Sequence, residues 1–263
     1  VSGGGNFIGT LNSTPLVFKM KNVKSGIVDT LYNTSLGYMS QLNNTTGTAN
    51  TSMGFASLYS NTTGYQNIAV GHLSLHDNTT GFGNTGVGVE ALYYNQTGYY
   101  NTAMGFRSLV VAGTGSMNTA VGSYSLNLNS VGTSNTAVGA YSLFKNVSGS
   151  NNTSYGFSSL QSNSIGNSNT AFGYQSLYSN NANDNTAVGY QSLYSNTIGG
   201  LNTANGYQSL MSNTEGGGNT GYGYVSLRNN TTGYWNTAGG AWSLVSNVTG
   251  AVNTAYGYSA LQS

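Results

Sequence analysis

Residues 185–199 are NTAVGYQSLYSNTIG, and variants of this stretch fill most of the chain. With its first asparagine as position 1, copies begin at Asn33, Asn50, Asn67, Asn84, Asn101, Asn118, Asn135, Asn152, Asn169, Asn185, Asn202, Asn219, Asn236 and Asn253. Successive copies start 17 residues apart, except that Asn169 and Asn185 are 16 apart. Such a period is typical of solenoids, in which each unit buries its apolar side against its neighbours and does not fold alone.

Comparison of the copies shows which positions are constrained. Position 3 is small, position 5 is almost always glycine and position 8 is serine or alanine. Positions 11–15, such as SNTTG at residues 60–64, are residues that favour turns. Position 9 is leucine in thirteen consecutive copies: Leu58, Leu75, Leu92, Leu109, Leu126, Leu143, Leu160, Leu177, Leu193, Leu210, Leu227, Leu244 and Leu261.

This pattern predicts an all-β fold, a parallel β-solenoid of about fourteen 17-residue coils over residues 33–263. No apolar stripe of period 3.6 is present, and Gly, Asn, Ser and Thr are poor helix formers. Each coil is expected to contain a strand over positions 2–6, a corner, a second short strand and a turn. Alternation along the strand would place positions 3 and 5 inside with the leucine, and positions 2, 4 and 6 outside.

Residues 1–32 do not match the repeat and are predicted to form an N-terminal cap. Solenoids need an atypical terminal unit to cover the first open edge. The segment begins with GGGNFIGT at residues 3–10, and PLVFKMKN at residues 15–22 favours a short strand. Ile27 and Val28 favour another strand. The copy that starts at Asn33 is imperfect, with Leu42 one place later than the leucine of other copies.

The outer positions predict an interface with further copies of the chain. Apolar and aromatic residues recur at positions 4 and 6, as in Phe55, Val70, Met104, Phe106, Phe157, Phe172, Tyr174, Tyr190, Tyr207 and Tyr222. Over fourteen coils at roughly 4.8 Å each, this stripe would be about 65 Å long, more than a soluble monomer normally exposes. A closed homo-oligomer would cover it. The alternative is that the tyrosines lie on a wet surface with their hydroxyls in water.

The repeat resembles that of a known family. NTAVGYQSL at residues 185–193 is similar to the SVAIGxxSxA head repeat of YadA-like trimeric autotransporter adhesins. The longer repeat, with NFIGT at residues 6–10 and PLVFK at residues 15–19, resembles regions of large bacterial surface proteins and phage tail-fibre-like proteins. The resemblance implies a left-handed β-roll that is homotrimeric and lies on a cell surface or outside the cell. The 17-residue period is longer than the YadA repeat, which implies an enlarged turn.

Composition disfavours several partners. Charged residues are 4% of the chain and the net charge is +1, too little to attract nucleic acid or an anionic membrane. There is no cysteine, and no apolar run approaches the roughly 20 residues that span a bilayer. We therefore expect neither nucleic-acid binding nor membrane insertion. No signal peptide is recognisable at Val1. The strict period argues against disorder, despite the biased composition.

The sequence offers little chemistry. His72, His76 and Asp77 are close together, and a third metal ligand or catalytic partner would have to be Glu90 on the next coil. The five acidic residues lie in different copies or in the cap, so a carboxylate pair for a β-helix glycosidase has no local support. The glycines form no phosphate-binding loop. We expect no catalytic residue, no metal site and no cofactor.

Two further signals are not catalytic. Sequons for N-glycosylation recur in the predicted turns at Asn44, Asn61, Asn78, Asn95, Asn146, Asn230 and Asn247, with others at Asn12, Asn33 and Asn152. The alternative, which we favour, is that Asn-Thr-Thr-Gly suits a tight turn. Threonine also recurs at position 2, as in Thr51, Thr102 and Thr119. Flat threonine arrays suggest ice binding, but here bulky aromatic residues lie beside them.

These observations favour an extracellular structural or adhesive fibre segment that associates with itself and attaches to surfaces or carbohydrates. Two alternatives remain open. One is an extracellular filament whose subunits stack head to tail through free strand edges. The other, from a different class, is a β-helix enzyme acting on polysaccharides, which would need clustered charged residues.

Overall fold

The computed structural model describes residues 12–262, so the GGGNFIGT segment of the predicted cap lies outside the described residues. These residues form one sixteen-stranded sheet whose strands follow each other in chain order. The first two strands are β1 (Leu16–Met20) and β2 (Val23–Val28). The others are β3 (Thr34–Leu36), β4 (Thr51–Met53), β5 (Ile68–Val70), β6 (Thr85–Val87), β7 (Thr102–Met104), β8 (Thr119–Val121), β9 (Thr136–Val138), β10 (Thr153–Tyr155), β11 (Thr170–Phe172), β12 (Thr186–Val188), β13 (Thr203–Asn205), β14 (Thr220–Tyr222), β15 (Thr237–Gly239) and β16 (Thr254–Tyr256).

Strands β3 to β16 confirm the predicted parallel β-solenoid. Each is the three-residue segment at positions 2–4 of one copy, and it pairs in register with the same segment of the next copy. Thr153 thus pairs with Thr170, and Ser154 with Ala171. The predicted second strand of each coil is absent from the described coils, and the first strand stops at position 4 instead of position 6. One copy therefore makes one coil, with a single strand and a long hydrogen-bonded turn.

The glycine at position 5 ends the strand. Gly156 has φ 128°, a region that residues with a side chain rarely adopt. A Cβ added to Gly156 would lie 2.5 Å from the carbonyl oxygen of Gly173, the same glycine one coil on. Position 5 is therefore glycine because two backbones meet there. Position 5 lies beyond the end of the strand, so the alternation predicted over positions 2–6 applies only to positions 2–4.

In the turn, several residues other than glycine have φ values in the left-handed region. Within the coil that starts at Asn152, Ser158, Leu160 and Ser168 have φ values of 54°, 48° and 57°. Such conformations are uncommon outside glycine and cost free energy. Hydrogen bonds between coils offset that cost, since Leu160 N donates to Ser176 O at 2.9 Å and Ser158 N donates to Ala140 O at 3.0 Å.

A hairpin covers the first coil. β1 and β2 are antiparallel and are joined at Lys21 and Asn22, whose φ values of 47° and 63° suit a two-residue type I′ turn. β2 then runs antiparallel to β3, with Ile27 opposite Ser35. The hairpin thus occupies the edge that the first parallel strand would otherwise expose.

The 16-residue copy keeps the sheet in register. Thr170 of β11 still pairs with Thr186 of β12, so the missing residue is absorbed elsewhere in the coil. It is absorbed in the turn after Asn180. There the Ala182 carbonyl oxygen accepts the side-chain hydrogen bonds of Asn169, at 2.8 Å, and Asn180, at 2.9 Å, that a glycine accepts in other coils.

Candidate functional site

The predicted leucine column lies inside the solenoid. Eleven of the leucines are completely buried: Leu58, Leu75, Leu92, Leu109, Leu126, Leu143, Leu160, Leu177, Leu193, Leu210 and Leu227. Leu244 is also buried, at 5% exposure, but Leu261 is 57% exposed. Leu261 therefore does not belong to the core column, because no following coil covers it within the described residues.

Gln41, and not Leu42, takes the leucine position of the first coil. Gln41 is completely buried and its Nε2 donates to Ser52 Oγ at 2.9 Å. Its Oε1 and the nearby Ser35 Oγ are buried without a hydrogen-bond partner among the described residues. The first coil thus has a polar interior where later coils have leucine.

A column of asparagines at position 1 also fills the interior. All but Asn253 are completely buried. In a typical coil, Asn135 N and Nδ2 both donate to Asn118 Oδ1 of the preceding coil, at 3.0 and 3.2 Å. Nδ2 also donates to Gly149 O of its own coil at 2.8 Å. Each carboxamide therefore ties one coil to the next and closes its own turn.

A second column of asparagines lies at position 12. Asn146 Nδ2 donates to Asn129 Oδ1 of the preceding coil at 2.6 Å and to Gly149 O at 2.8 Å. The Gly149 carbonyl thus accepts from both columns. Ala112 interrupts the second column, and there Asn101 Nδ2 donates to Asn95 Oδ1 at 3.0 Å instead.

Sequence reasoning missed both columns, although the signal was present. Asparagine occurs at position 1 in every copy, and it was used only to set the register of the repeat. Hydrophobicity patterns place asparagine at the surface, yet a buried carboxamide is stable when all its hydrogen bonds are made. Invariance at a polar position was the evidence that could have revealed them.

Burial changes the interpretation of the predicted glycosylation sites. Asn61, Asn78, Asn95, Asn146 and Asn230 are completely buried. Asn44 and Asn247 are partly buried, and their Nδ2 atoms donate to Gly47 O and Gly250 O at 3.0 and 3.1 Å. A glycan is attached at Nδ2, which here points into the coil. At the five buried positions the side chain is enclosed within the turn. Glycosylation of the seven sequons stays a prediction.

The predicted outer stripe does face outward. Val70 is partly buried, whereas the other nine residues, Phe55, Met104, Phe106, Phe157, Phe172, Tyr174, Tyr190, Tyr207 and Tyr222, are exposed. The most exposed are Phe172 and Tyr222 at position 4, at 56% and 62%. The stripe thus combines an apolar strand face with a column of rings.

The rings at position 6 stack on each other along the solenoid. Tyr174 and Tyr190 have centroids 5.3 Å apart and planes 7° apart, and Tyr190 and Tyr207 are 5.2 Å and 7° apart. Their faces are therefore covered by neighbours within the chain. Edges and hydroxyl groups form the outer surface of this column.

The histidine cluster does not form a metal site. His76 Nδ1 lies 2.6 Å from Asp77 Oδ1, and the His76 ring is stacked between Tyr59 and Tyr93 at 5.0 and 4.9 Å. Glu90, the predicted third member, instead accepts from Arg107. Within residues 12–262, no group of three or more His, Asp or Glu side chains could hold a metal ion.

Comparisons with protein-family models, curated proteins and solved structures found no match. The resemblance to adhesin head repeats thus stays a prediction, as do the trimer and the extracellular location. In the described part of the chain, no helix is long and apolar enough to span a membrane.

Proposed function

We propose that this chain is a structural segment of an extracellular fibre, on the surface of a bacterium or in a phage-related particle, that associates with its own copies and attaches to surfaces. The exposed stripe supports the proposal. Phe172 and Tyr222 lie on the outer face of the sheet, and position-6 rings such as Tyr190 continue from coil to coil. A second copy of the chain would remove this apolar surface from water.

The coil architecture is suited to a mechanical role. Every coil is joined to the next by backbone hydrogen bonds and by buried asparagine bonds, for example Asn135 to Asn118. The stack therefore resists separation of its coils along its axis, as a fibre segment requires. The low content of charged residues, 4% of the chain, is compatible with close contact between copies.

Self-association can be tested by sedimentation of the purified chain. We expect an oligomer, with a trimer favoured by the family resemblance, and the double variant Phe172→Ser, Tyr222→Ser should release monomers because it removes the most exposed part of the stripe. The matched control is Tyr178→Ser, Tyr194→Ser. It removes a stacked pair at position 10, with centroids 5.1 Å apart, outside the stripe.

Attachment is tested separately with particles displaying the segment. Electron microscopy should show rods, and the displayed segment should hold the particles on a polysaccharide or cell surface.

The sedimentation experiment would contradict self-association if the wild-type chain is a monomer at high concentration, or if the stripe variant leaves the oligomer unchanged.

A further inference from the structure

Two outer columns of stacked rings end at the coil that starts at Asn101, one in the coil before it and the other in the coil after it. At position 10, Tyr59, His76 and Tyr93 stack with centroids 5.0 and 4.9 Å apart. Val110 follows, so the column of rings ends at Tyr93. The Tyr93 ring is stacked on His76 and also contacts the ring of Tyr94. The next coil carries the smaller Val110 at this position, so no ring continues the column there.

At position 7 the rings come after this coil, whereas at position 10 they come before it. Arg107 occupies this position in the coil that starts at Asn101, and stacked rings begin only at Tyr124, whose centroid lies 5.2 Å from that of Tyr141. The ends of the two columns leave a groove of about 430 Å³. Binding sites for small molecules commonly have volumes from roughly 300 to 1,000 Å³. The groove is lined by Glu90, Tyr93, Tyr94, Arg107, Val110 and Asn127, among others.

One side of the groove carries an ion pair. Arg107 Nε donates to Glu90 Oε2 at 2.7 Å, and this hydrogen bond raises the pKa of Arg107. Both side chains are partly exposed, at 44% for Arg107 and 23% for Glu90. The pair offers donors and acceptors together while adding no net charge.

The remaining walls combine the aliphatic side chains of Leu73, Val110, Val111 and Leu128 with polar and aromatic ones. Asn127 is 8% exposed, and its Nδ2 donates to Arg107 O at 2.7 Å, which fixes the amide beside the groove. Tyr94 is 48% exposed and meets Tyr93 at 63° with a centroid distance of 4.4 Å. The two rings are in an edge-to-face contact, as are Phe106 and Tyr124 on the next two coils.

We propose that this groove binds a neutral saccharide, one ring of which packs against Tyr93 and Tyr94 beside Val110. The C–H face of a sugar ring packs on an aromatic ring, and its hydroxyl groups donate to Glu90 and accept from Arg107. The absence of net charge on the ion pair disfavours an anionic ligand. A purely apolar ring would desolvate the ion pair without replacing its hydrogen bonds with water.

This inference deepens the proposed function, because it assigns a ligand class to the attachment step. The two can fail independently. Loss of oligomers with retained sugar binding would overturn only the self-association. Retained oligomers without sugar binding would overturn only the groove.

The experiment uses the full chain and saturation-transfer NMR with neutral oligosaccharides of glucose, galactose, mannose and N-acetylglucosamine. We expect transfer to ring protons of at least one of these oligosaccharides. Tyr93→Val and Arg107→Ala should each weaken that binding about tenfold, or roughly 1.4 kcal/mol. The matched control Tyr178→Val removes a position-10 ring that lies outside the groove and should leave binding unchanged.

A second variant tests the groove without removing a packed ring. Val110→Tyr should continue the column from Tyr93, fill the groove and abolish binding, while circular dichroism shows an intact fold. The proposal is overturned if no oligosaccharide binds the wild-type chain, if Val110→Tyr binds normally, or if Tyr178→Val weakens binding as much as Tyr93→Val does.

Discussion

Asn118 Oδ1 accepts two hydrogen bonds from Asn135 of the next coil, one from the backbone N at 3.0 Å and one from Nδ2 at 3.2 Å. The same relationship recurs along the position-1 column, so a polar residue holds the interior together in register. At the N-terminal end Asp29 substitutes for the missing asparagine, because its Oδ1 accepts from Asn33 N at 2.9 Å.

Replacing a position-1 asparagine should destabilise the solenoid strongly. Asn135→Ala removes the Nδ2 bonds to Asn118 Oδ1 and Gly149 O, and it removes the Oδ1 that accepts from Asn152 N. Buried groups are left unpaired, which should lower the free energy of unfolding by about 2–3 kcal/mol. Asn146→Ala at position 12 should cost less, because Ala112 shows that this column tolerates alanine. Chemical denaturation measures both variants, with the exposed Asn43→Ala as control. Equal stability of Asn135→Ala and Asn43→Ala would contradict the structural role of the column.

Replacing a leucine of the column by alanine should lower the free energy of unfolding strongly only where a following coil covers that leucine. Leu160→Ala leaves a cavity in a completely buried site and should cost about 2–5 kcal/mol. Leu261→Ala should cost far less, because that side chain is 57% exposed. Thermal and chemical unfolding of the two variants provide the comparison, and similar losses would show that Leu261 packs in solution.

The position-5 glycine should not accept a side chain. Gly156→Ala places a methyl group 2.5 Å from Gly173 O at φ 128°, so the two coils must separate or the turn must change. Gly200→Ala is the matched change in a turn, where the nearest atom is Asn183 O at 3.2 Å. We expect Gly156→Ala to lower the unfolding midpoint much more than Gly200→Ala. A milder effect of Gly156→Ala would refute the close backbone contact.

If the chain is made in a host that glycosylates asparagine after folding, exposed sequons should carry glycans and buried sequons should not. Asn12 is exposed, whereas Asn146 is completely buried with its Nδ2 in two hydrogen bonds. Intact-mass and peptide analysis should therefore find glycans at Asn12 and none at Asn146. Glycans at Asn146 on a folded chain would contradict the inward orientation of that column.

Lys24 should make stability depend on pH. Burial lowers the pKa of Lys24 from its ordinary value of 10.5, and Asp29 opposes that shift. The unfolded chain therefore holds this proton more tightly, so the contribution of Lys24 to stability is complete above pH 10.5 and is lost as the pH falls through the folded-state pKa. The unfolding free energy of wild type minus that of Lys24→Met should thus rise with pH up to pH 10.5. A pH-independent difference would contradict burial of the ammonium group.

The sequence by itself determined the period, the parallel stack and the inward leucine. These follow from local patterns that repeat unchanged, since a residue such as Leu160 meets Leu143 and Leu177 in equivalent places. In-register stacking is the simplest arrangement that buries them all. The hairpin strands β1 and β2 were also foreseeable from short apolar segments.

Only the tertiary structure decided where the asparagines point, why position 5 is glycine and where the groove lies. A buried carboxamide such as Asn135 is stable only because Asn118 and Gly149 lie at the right distance, and that geometry exists only when the coils are stacked. The close contact between Gly156 and Gly173 likewise depends on two coils meeting. The groove at Val110 depends on which side chains neighbouring coils place beside it, which no single copy of the repeat contains.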